Sequence, residues 1–303
     1  EIDFIPKFKL KKKEDKIIIK DNEYVKNKKI GLFCEKTNTV LPLQKITINI
    51  NIIESIARNT YSLTYKNNTS NNIEAIYYFP ISDSAVFDEF SAEIDKQIIK
   101  GKIKEKKEAK NDYKIQVEKG NTTAYAEINE DTKDIMKINL GNLLPNQEIK
   151  INLSYYENLD VYLNKFWSLT ILSTLTPRYQ SQTQSNKNED TEILSNYPQI
   201  NPESKKTTTW EINIKIKSNS KINFIKCHTH EIITKYTNDT QTEIELELDK
   251  TKGPYYPNKN FVLLYKDEDV HKPLLKLAKF ENNKIEEDFP MYCASLRFIP
   301  NFN

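Results

Sequence analysis

Between Val40 and Lys66 apolar and polar residues alternate with a period of two. Ile46, Ile48, Ile50 and Ile52 fall on one side, and Thr47, Asn49 and Asn51 on the other, the pattern of a half-buried strand. Tyr61, Leu63 and Tyr65 continue that period. The Asn/Ser/Thr cluster at 67–72 reads as a turn, and IEAIYYFP (73–80) as a strand that Pro80 ends, because proline has no N–H for the ladder. Residues 86–94 and 97–105 fit a hairpin turning at Asp95 and Lys96. The period then changes. Ala109, Tyr113 and Val117 stand four apart, which predicts a helix over 106–119 with Ile115 off its apolar face. Gly120 follows where a left-handed residue closes the last turn.

Strands resume at 123–128, 134–144 and 148–156, with a turn at 144–147. Residues 164–177 are apolar and β-prone, while 178–209 is polar and carries Pro198 and Pro202, as a long loop does. Further strands are predicted at 210–218, 222–230, 242–249, 260–267 and 293–300, and one at 16–20 inside a lysine-rich arm. The fold class that follows is mainly β: an antiparallel β-sandwich with one α-helix, and a second β-rich segment packed on it. The expected division is an N-terminal extension over 1–34, a first unit over 35–160 and a second segment over 161–303.

Composition narrows the chemistry. Lys+Arg is 45 and Asp+Glu 43, so a net charge of +2 offers no broad field for nucleic acid or an anionic membrane. No apolar run reaches the roughly 18 residues of a membrane span. Glycine is scarce, five in 303 residues against an average near ~7%. Each glycine therefore points to a backbone need, and Gly101, inside a predicted strand, to a bulge or close approach. The sequence has no GxxxxGK[ST], GxGxxG or GxSxG motif, so neither a phosphate-cradling loop nor a nucleophile elbow is expected, and no cofactor is assigned.

Cys34, Cys227 and Cys293 lie far apart without a CxxC pair and read as reduced thiols. His228 and His230 share one face of a predicted strand, but Glu231 falls on the other face and no third metal ligand is evident. Asp267, Glu268 and Asp269 lack the repeated oxygen spacing of a calcium loop and read as a solvated turn. Sequons at Asn67, Asn68, Asn121, Asn152 and Asn238 do not decide the compartment in a chain this rich in Asn, Ser and Thr. The odd cysteine count and the absence of a signal-peptide pattern favour the cytoplasm over secretion.

Over Val40–Leu159 these features resemble the VIT (vault protein inter-alpha-trypsin) domain. The resemblance rests on Phe79-Pro80 at a strand end, and on Gly101 before a charged run with Glu105, Lys106, Ala109 and Tyr113. It rests also on Gly120 and on the turn Gly141, Asn142, Pro145. Val117, where alanine is frequent, and the polar Asn121-Thr122-Thr123 depart from the pattern. FWSLTILSTLTPRY, WEINIKIKS, NFVLLYKD and MYCASLRFIPNF are similar to the region that joins such a domain to a von Willebrand factor A domain. A D-x-S-x-S metal motif would follow in that family; residues 1–303 contain none, so no metal ligand is carried over.

The resemblance implies a non-enzymatic protein–protein interaction or assembly module, packed on its own downstream A domain. It puts candidate partner contacts at Lys102, Lys104, Lys106, Lys107 and Lys110. One alternative is a structural subunit of a large particle or cytoskeletal assembly. Another is a metal-dependent hydrolase around His228, His230 and Asp267–Asp269.

Overall fold

The computed structural model describes residues 31–34, 36, 41–80, 85–94, 97–100, 106–120, 123–128, 135–173, 208–257, 259–279 and 292–300. In chain order the first strands are β1 (Gly31–Cys34), β2 (Leu43–Ile53), β3 (Ile56–Lys66), β4 (Ile73–Pro80), β5 (Val86–Ile94) and β6 (Gln97–Lys100). The helix α1 (Lys106–Glu118) precedes β7 (Thr123–Ile128), β8 (Ile135–Leu143), β9 (Glu148–Asn158), β10 (Asp160–Tyr162) and β11 (Phe166–Ile171). Then come β12 (Thr209–Lys217), β13 (Ile222–Cys227), β14 (Ile232–Tyr236), β15 (Glu243–Leu248), β16 (Phe261–Asp267), β17 (Leu274–Lys279) and β18 (Tyr292–Arg297). The chain is mainly β, as its alternation predicts.

An eight-stranded sheet in the order β14-β15-β12-β2-β3-β9-β5-β6 is the backbone of the fold. Its strands β3 and β12 alternate without a break. Ile46, Ile48, Ile50 and Ile52 of β2 are buried, beside Tyr61, Leu63 and Tyr65 of β3 and Ile149, Ile151 and Leu153 of β9. The opposite face carries Lys45, Asn49, Asn51, Lys150 and Lys215 in water. Two smaller sheets cover the buried face, β1-β4-β8-β7 and β10-β11-β16-β13. The first cover brings Phe79 to 5.2 Å from Tyr61 and Tyr77 to 5.6 Å from Tyr65, between ring centroids. The second brings in Trp167, Leu169, Phe261, Leu263 and Tyr265, and both covers share one continuous core.

The second segment does more than pack on the first. Strand β12 joins the same sheet beside β2, and it runs parallel: Ile46, Ile48, Ile50 and Ile52 stand opposite Trp210, Ile212, Ile214 and Ile216. A parallel pair needs a long crossover, so only sequence-distant strands can meet this way. The sheet therefore runs across residue 160 without interruption.

Most predicted elements fall within two residues of the observed ones. Strands β1, β10, β14 and β17 lie where none was predicted; they are short or lack clean alternation. The predicted strand 222–230 ends at Cys227, and residues 228–230 form a bend. The strand at 16–20, the turn at Asp95-Lys96, Gly101 and the loop 178–207 lie outside the described residues.

Asn67 closes one end of the sandwich. It is fully buried and uses its whole side chain. Its Nδ2 donates to the carbonyls of Asn71, Leu143 and Leu144 at 2.9–3.0 Å, and its Oδ1 accepts from the Thr69 amide and hydroxyl. The sequon there is thus engaged in holding the β3–β4 turn to the end of β8. Asn152, another sequon residue, sits on the polar face and bonds the Ser62 and Ser91 side chains. Removing a buried hub leaves several polar groups unsatisfied. Asn67→Ala is expected to lower unfolding free energy by on the order of 3 kcal/mol, and Asn152→Ala by about 1 kcal/mol or less, in urea titrations followed by circular dichroism.

Candidate functional site

The motif residues read from the sequence come together as structure rather than as reactive chemistry. Phe79 has no exposed surface and packs edge-on against Tyr61 and Tyr155. Pro80 is the last residue of β4, opposite Ile135. Tyr113 and Val117 are half-buried on α1, while Ile115 is exposed, as the four-residue spacing predicts. Gly120 has φ +77° and donates its N–H to Val117 O at 2.9 Å. Asn142, at φ 56° in a bulge of β8, donates its Nδ2 to the same carbonyl at 3.0 Å. Two scarce-conformation residues thus cap one helix end, which ties the Gly120 and Gly141-Asn142 motifs into a single device. Pro145 lies in the exposed turn beyond β8. Lys106, Lys107, Ala109 and Lys110 lie in the first turns of α1, whereas Gly101, Lys102, Lys104 and Glu105 lie outside the described residues.

What sequence reading missed lies where the second segment meets the β2–β3 hairpin. Glu54 is at the tip of the β2–β3 hairpin with φ 58°, yet it is buried. Its amide donates to Lys217 O at 2.8 Å, and its carbonyl accepts the Tyr265 hydroxyl at 2.7 Å. Its carboxylate receives Arg297 Nη1 at 2.7 Å and Lys276 Nζ at 3.3 Å. Asp267, read from sequence as part of a solvated turn, is instead fully buried. The reason is its partners: Trp167 Nε1 at 3.0 Å, the Ser220 hydroxyl at 2.9 Å and the Asp269 amide at 3.1 Å. Arg297 Nη1 lies 3.9 Å from Asp267 and its guanidinium 5.5 Å from the Trp167 ring centroid. Two buried carboxylates and one buried guanidinium thus converge from three separate parts of the chain. Spacing in the sequence gives no sign of this, because Arg297 stands 30 residues from Asp267 and 243 from Glu54.

Strands β17 and β18 form a two-stranded ribbon attached at this cluster. Cross-strand partners share a face. Leu274, Arg297, Lys276 and Ser295 form one face, which carries the cluster's cations. Leu275, Leu296, Leu277, Ala294, Tyr292 and Lys279 form the other, with the Lys279 Nζ 6.0 Å from the Tyr292 ring centroid at its edge. That second face is bare: Leu277 is 72% exposed and Leu296 69%, with Leu275, Tyr292 and the following Phe298 close behind.

The histidines do not form a site. His228 is exposed, while His230 is buried among Trp210, Tyr255 and Phe261 at 5.6–5.9 Å between ring centroids. Burial, with Lys259 adding repulsion, pushes His230 down to about 4. Their predicted common strand face is lost because β13 ends at Cys227. Among the described residues no three His, Cys, Asp or Glu side chains gather as a metal site.

Comparison with known proteins fits this picture. Residues 43–155 match the profile of the vault protein inter-alpha-trypsin domain family. Protein mono-ADP-ribosyltransferase PARP4 of Mus musculus is 31% identical over 211 residues, covering 70% of this chain and 10% of that protein. von Willebrand factor A domain-containing protein 5A of Rattus norvegicus is 24% identical over 262 residues, covering 86% of this chain and 31% of that protein. A von Willebrand factor A domain-containing protein of Dictyostelium discoideum is 20% identical over 284 residues, covering 93% and 27%. The chain therefore spans between a tenth and a third of the length of these relatives.

Two residues past the matched stretch, Glu157 points into the sandwich and accepts a hydrogen bond from Asn59 Nδ2 at 2.8 Å. Burial, reinforced by Asp160, pushes its carboxyl up to about 7, against the opposing effect of Asn59. Between the unfolded value near 4.5 and about 7 the folded chain holds a proton that the unfolded chain has released. Stability therefore falls as pH rises through that window, by up to about 3 kcal/mol, and levels off above it. Glu157→Gln is expected to remove this slope and to raise the melting temperature at pH 8, as read by scanning calorimetry between pH 4.5 and 8.

Proposed function

We propose, from the premise that residues 43–155 of this chain are a vault protein inter-alpha-trypsin domain, that the chain is a non-enzymatic part of a longer protein and docks a von Willebrand factor A domain on its β17–β18 ribbon. The observation that carries this reading is the exposed apolar cluster of Leu275, Leu277, Tyr292 and Leu296 on one face of the ribbon. The rat and Dictyostelium relatives, which match 86% and 93% of this chain, are named as von Willebrand factor A domain-containing proteins, and the chain corresponds to only part of each. A two-stranded ribbon is marginal in water without a cover, and an A domain following the chain is the nearest candidate. The name of the mouse relative describes an ADP-ribosyltransferase, but the similarity covers a tenth of that protein. It therefore lends no enzymatic role to these residues.

The lysines on and before α1 form a second element of the proposal. Lys102, Lys104, Lys106, Lys107 and Lys110 would steer an acidic partner during encounter, since rim charges act on association rate more than on affinity.

The coding sequence after Asn303 is expected to continue into an A domain bearing D-x-S-x-S; a different domain there overturns the reading. That A domain, expressed separately, is expected to bind residues 1–303 at one to one in calorimetry. Leu277→Asp with Leu296→Asp should weaken binding on the order of tenfold or more, as removal of central apolar anchors does. Reversing Lys106, Lys107 and Lys110 to glutamate is expected to slow association several-fold, by stopped-flow at low salt, without a change in melting temperature.

A further inference from the structure

Unlike the strands of the sandwich, β17 and β18 pair only with each other among the described residues. Between the ribbon and the end of the large sheet lies an open groove of about 810 Å³, floored by Ile53, Ile56 and Tyr156 and bordered by Leu274. Ile53, Ile56 and Tyr156 remain substantially exposed. Apolar packing therefore does not clamp the ribbon along this side. What reaches across are the cations of its inner face, Arg297 and Lys276, both to the carboxylate of Glu54.

Glu54 is well prepared for this. Its main chain is bound on both sides, to Lys217 O and to the Tyr265 hydroxyl, so the carboxylate is offered from a fixed point. Arg297 is itself nearly buried, at 9% side-chain exposure, between Glu54, Asp267 and the Trp167 ring. Just beyond it Ile299 is buried and His271 Nδ1 lies 3.2 Å from Ile299 O, which leaves Arg297 at the pivot of the ribbon.

We infer that Arg297 is a latch: its contacts with Glu54 and Trp167 set the orientation of the ribbon against the sandwich, and so hold the apolar face in the pose that a docked domain needs. This regulation of the docking surface rests on the docking reading above. A domain bound to the outer face is then coupled to the inner face across the paired strands β17 and β18. Docking favours the latched pose, and an unlatched ribbon docks less well.

The test is hydrogen exchange by mass spectrometry on residues 1–303, comparing wild type with Arg297→Met and Glu54→Gln. In both variants exchange at 274–279 and 292–297 is expected to speed up at least tenfold, while 43–66 and 148–158 keep wild-type protection. Unchanged ribbon exchange in both variants overturns the latch. So does an equal rise across the large sheet, which would make the cluster a general stabiliser. If Arg297→Met fails to fold, Glu54→Gln decides alone, since it keeps the shape of the side chain and removes only its charge. Where the A domain binds, Glu54→Gln should weaken it severalfold. Failure of the wild-type chain to bind an A domain sinks the docking reading and leaves the exchange result to judge the latch.

Discussion

Strand β2 is read by two neighbours at once, and the fold depends on both readings agreeing. β3 pairs with it antiparallel and β12 pairs with it parallel, and each meets the same buried isoleucines. A slip of one residue against either neighbour would turn Asn49 and Asn51 into the core and Ile48 and Ile50 into water. Burying each isoleucine contributes roughly 1.5–3 kcal/mol, whereas a ladder hydrogen bond contributes about 1 net. Side chains, not the ladder, therefore select the register. The parallel partner makes this a constraint across the whole chain, because β12 reaches β2 from more than 150 residues away.

Given that sheet, the rest is a matter of covering and closing it. Two four-stranded sheets lie over the buried face, and their rings and aliphatic side chains form one core with it. The ends are closed by side chains that take over main-chain partners. Asn67 does so for the turn after β3, and Asn142 with Gly120 for the end of α1. These are residues whose amide groups, or whose tolerance of positive φ, suit places where the regular ladder stops.

The ribbon inverts the rule that the sandwich obeys. In β2, β12 and β15 the apolar side faces in and the charged side faces out. In β17 and β18 Arg297 and Lys276 face in, toward Glu54 and Asp267, while Leu275, Leu277 and Leu296 face out. A buried ion pair adds little net stability compared with apolar packing of equal volume, but it tolerates few alternative arrangements. It suits a joint that must hold one orientation. An apolar face turned to solvent suits a surface that another domain will cover.

How much of this was legible beforehand depends on distance along the chain. Local physics wrote the long alternating strands, the helix at 106–118 with Ile115 off its face, the stop at Gly120 and the turn near Asn146, because each follows from neighbours within a few positions. The family motifs around Phe79, Gly120 and Asn142 were visible for the same reason. β14 and β17 were not, since IITKY and LLKLAK alternate poorly and take their strand form from a partner. Nor was the Glu54–Asp267–Arg297 cluster. Asp267 in isolation is one acid in an acidic turn, and only the approach of Trp167 and Ser220 makes its burial affordable. Alternation along the chain settles which side of a strand is dry. Which strands meet, and which charges are thereby shut away from water, is decided in three dimensions, because it depends on contacts between residues that the sequence holds far apart.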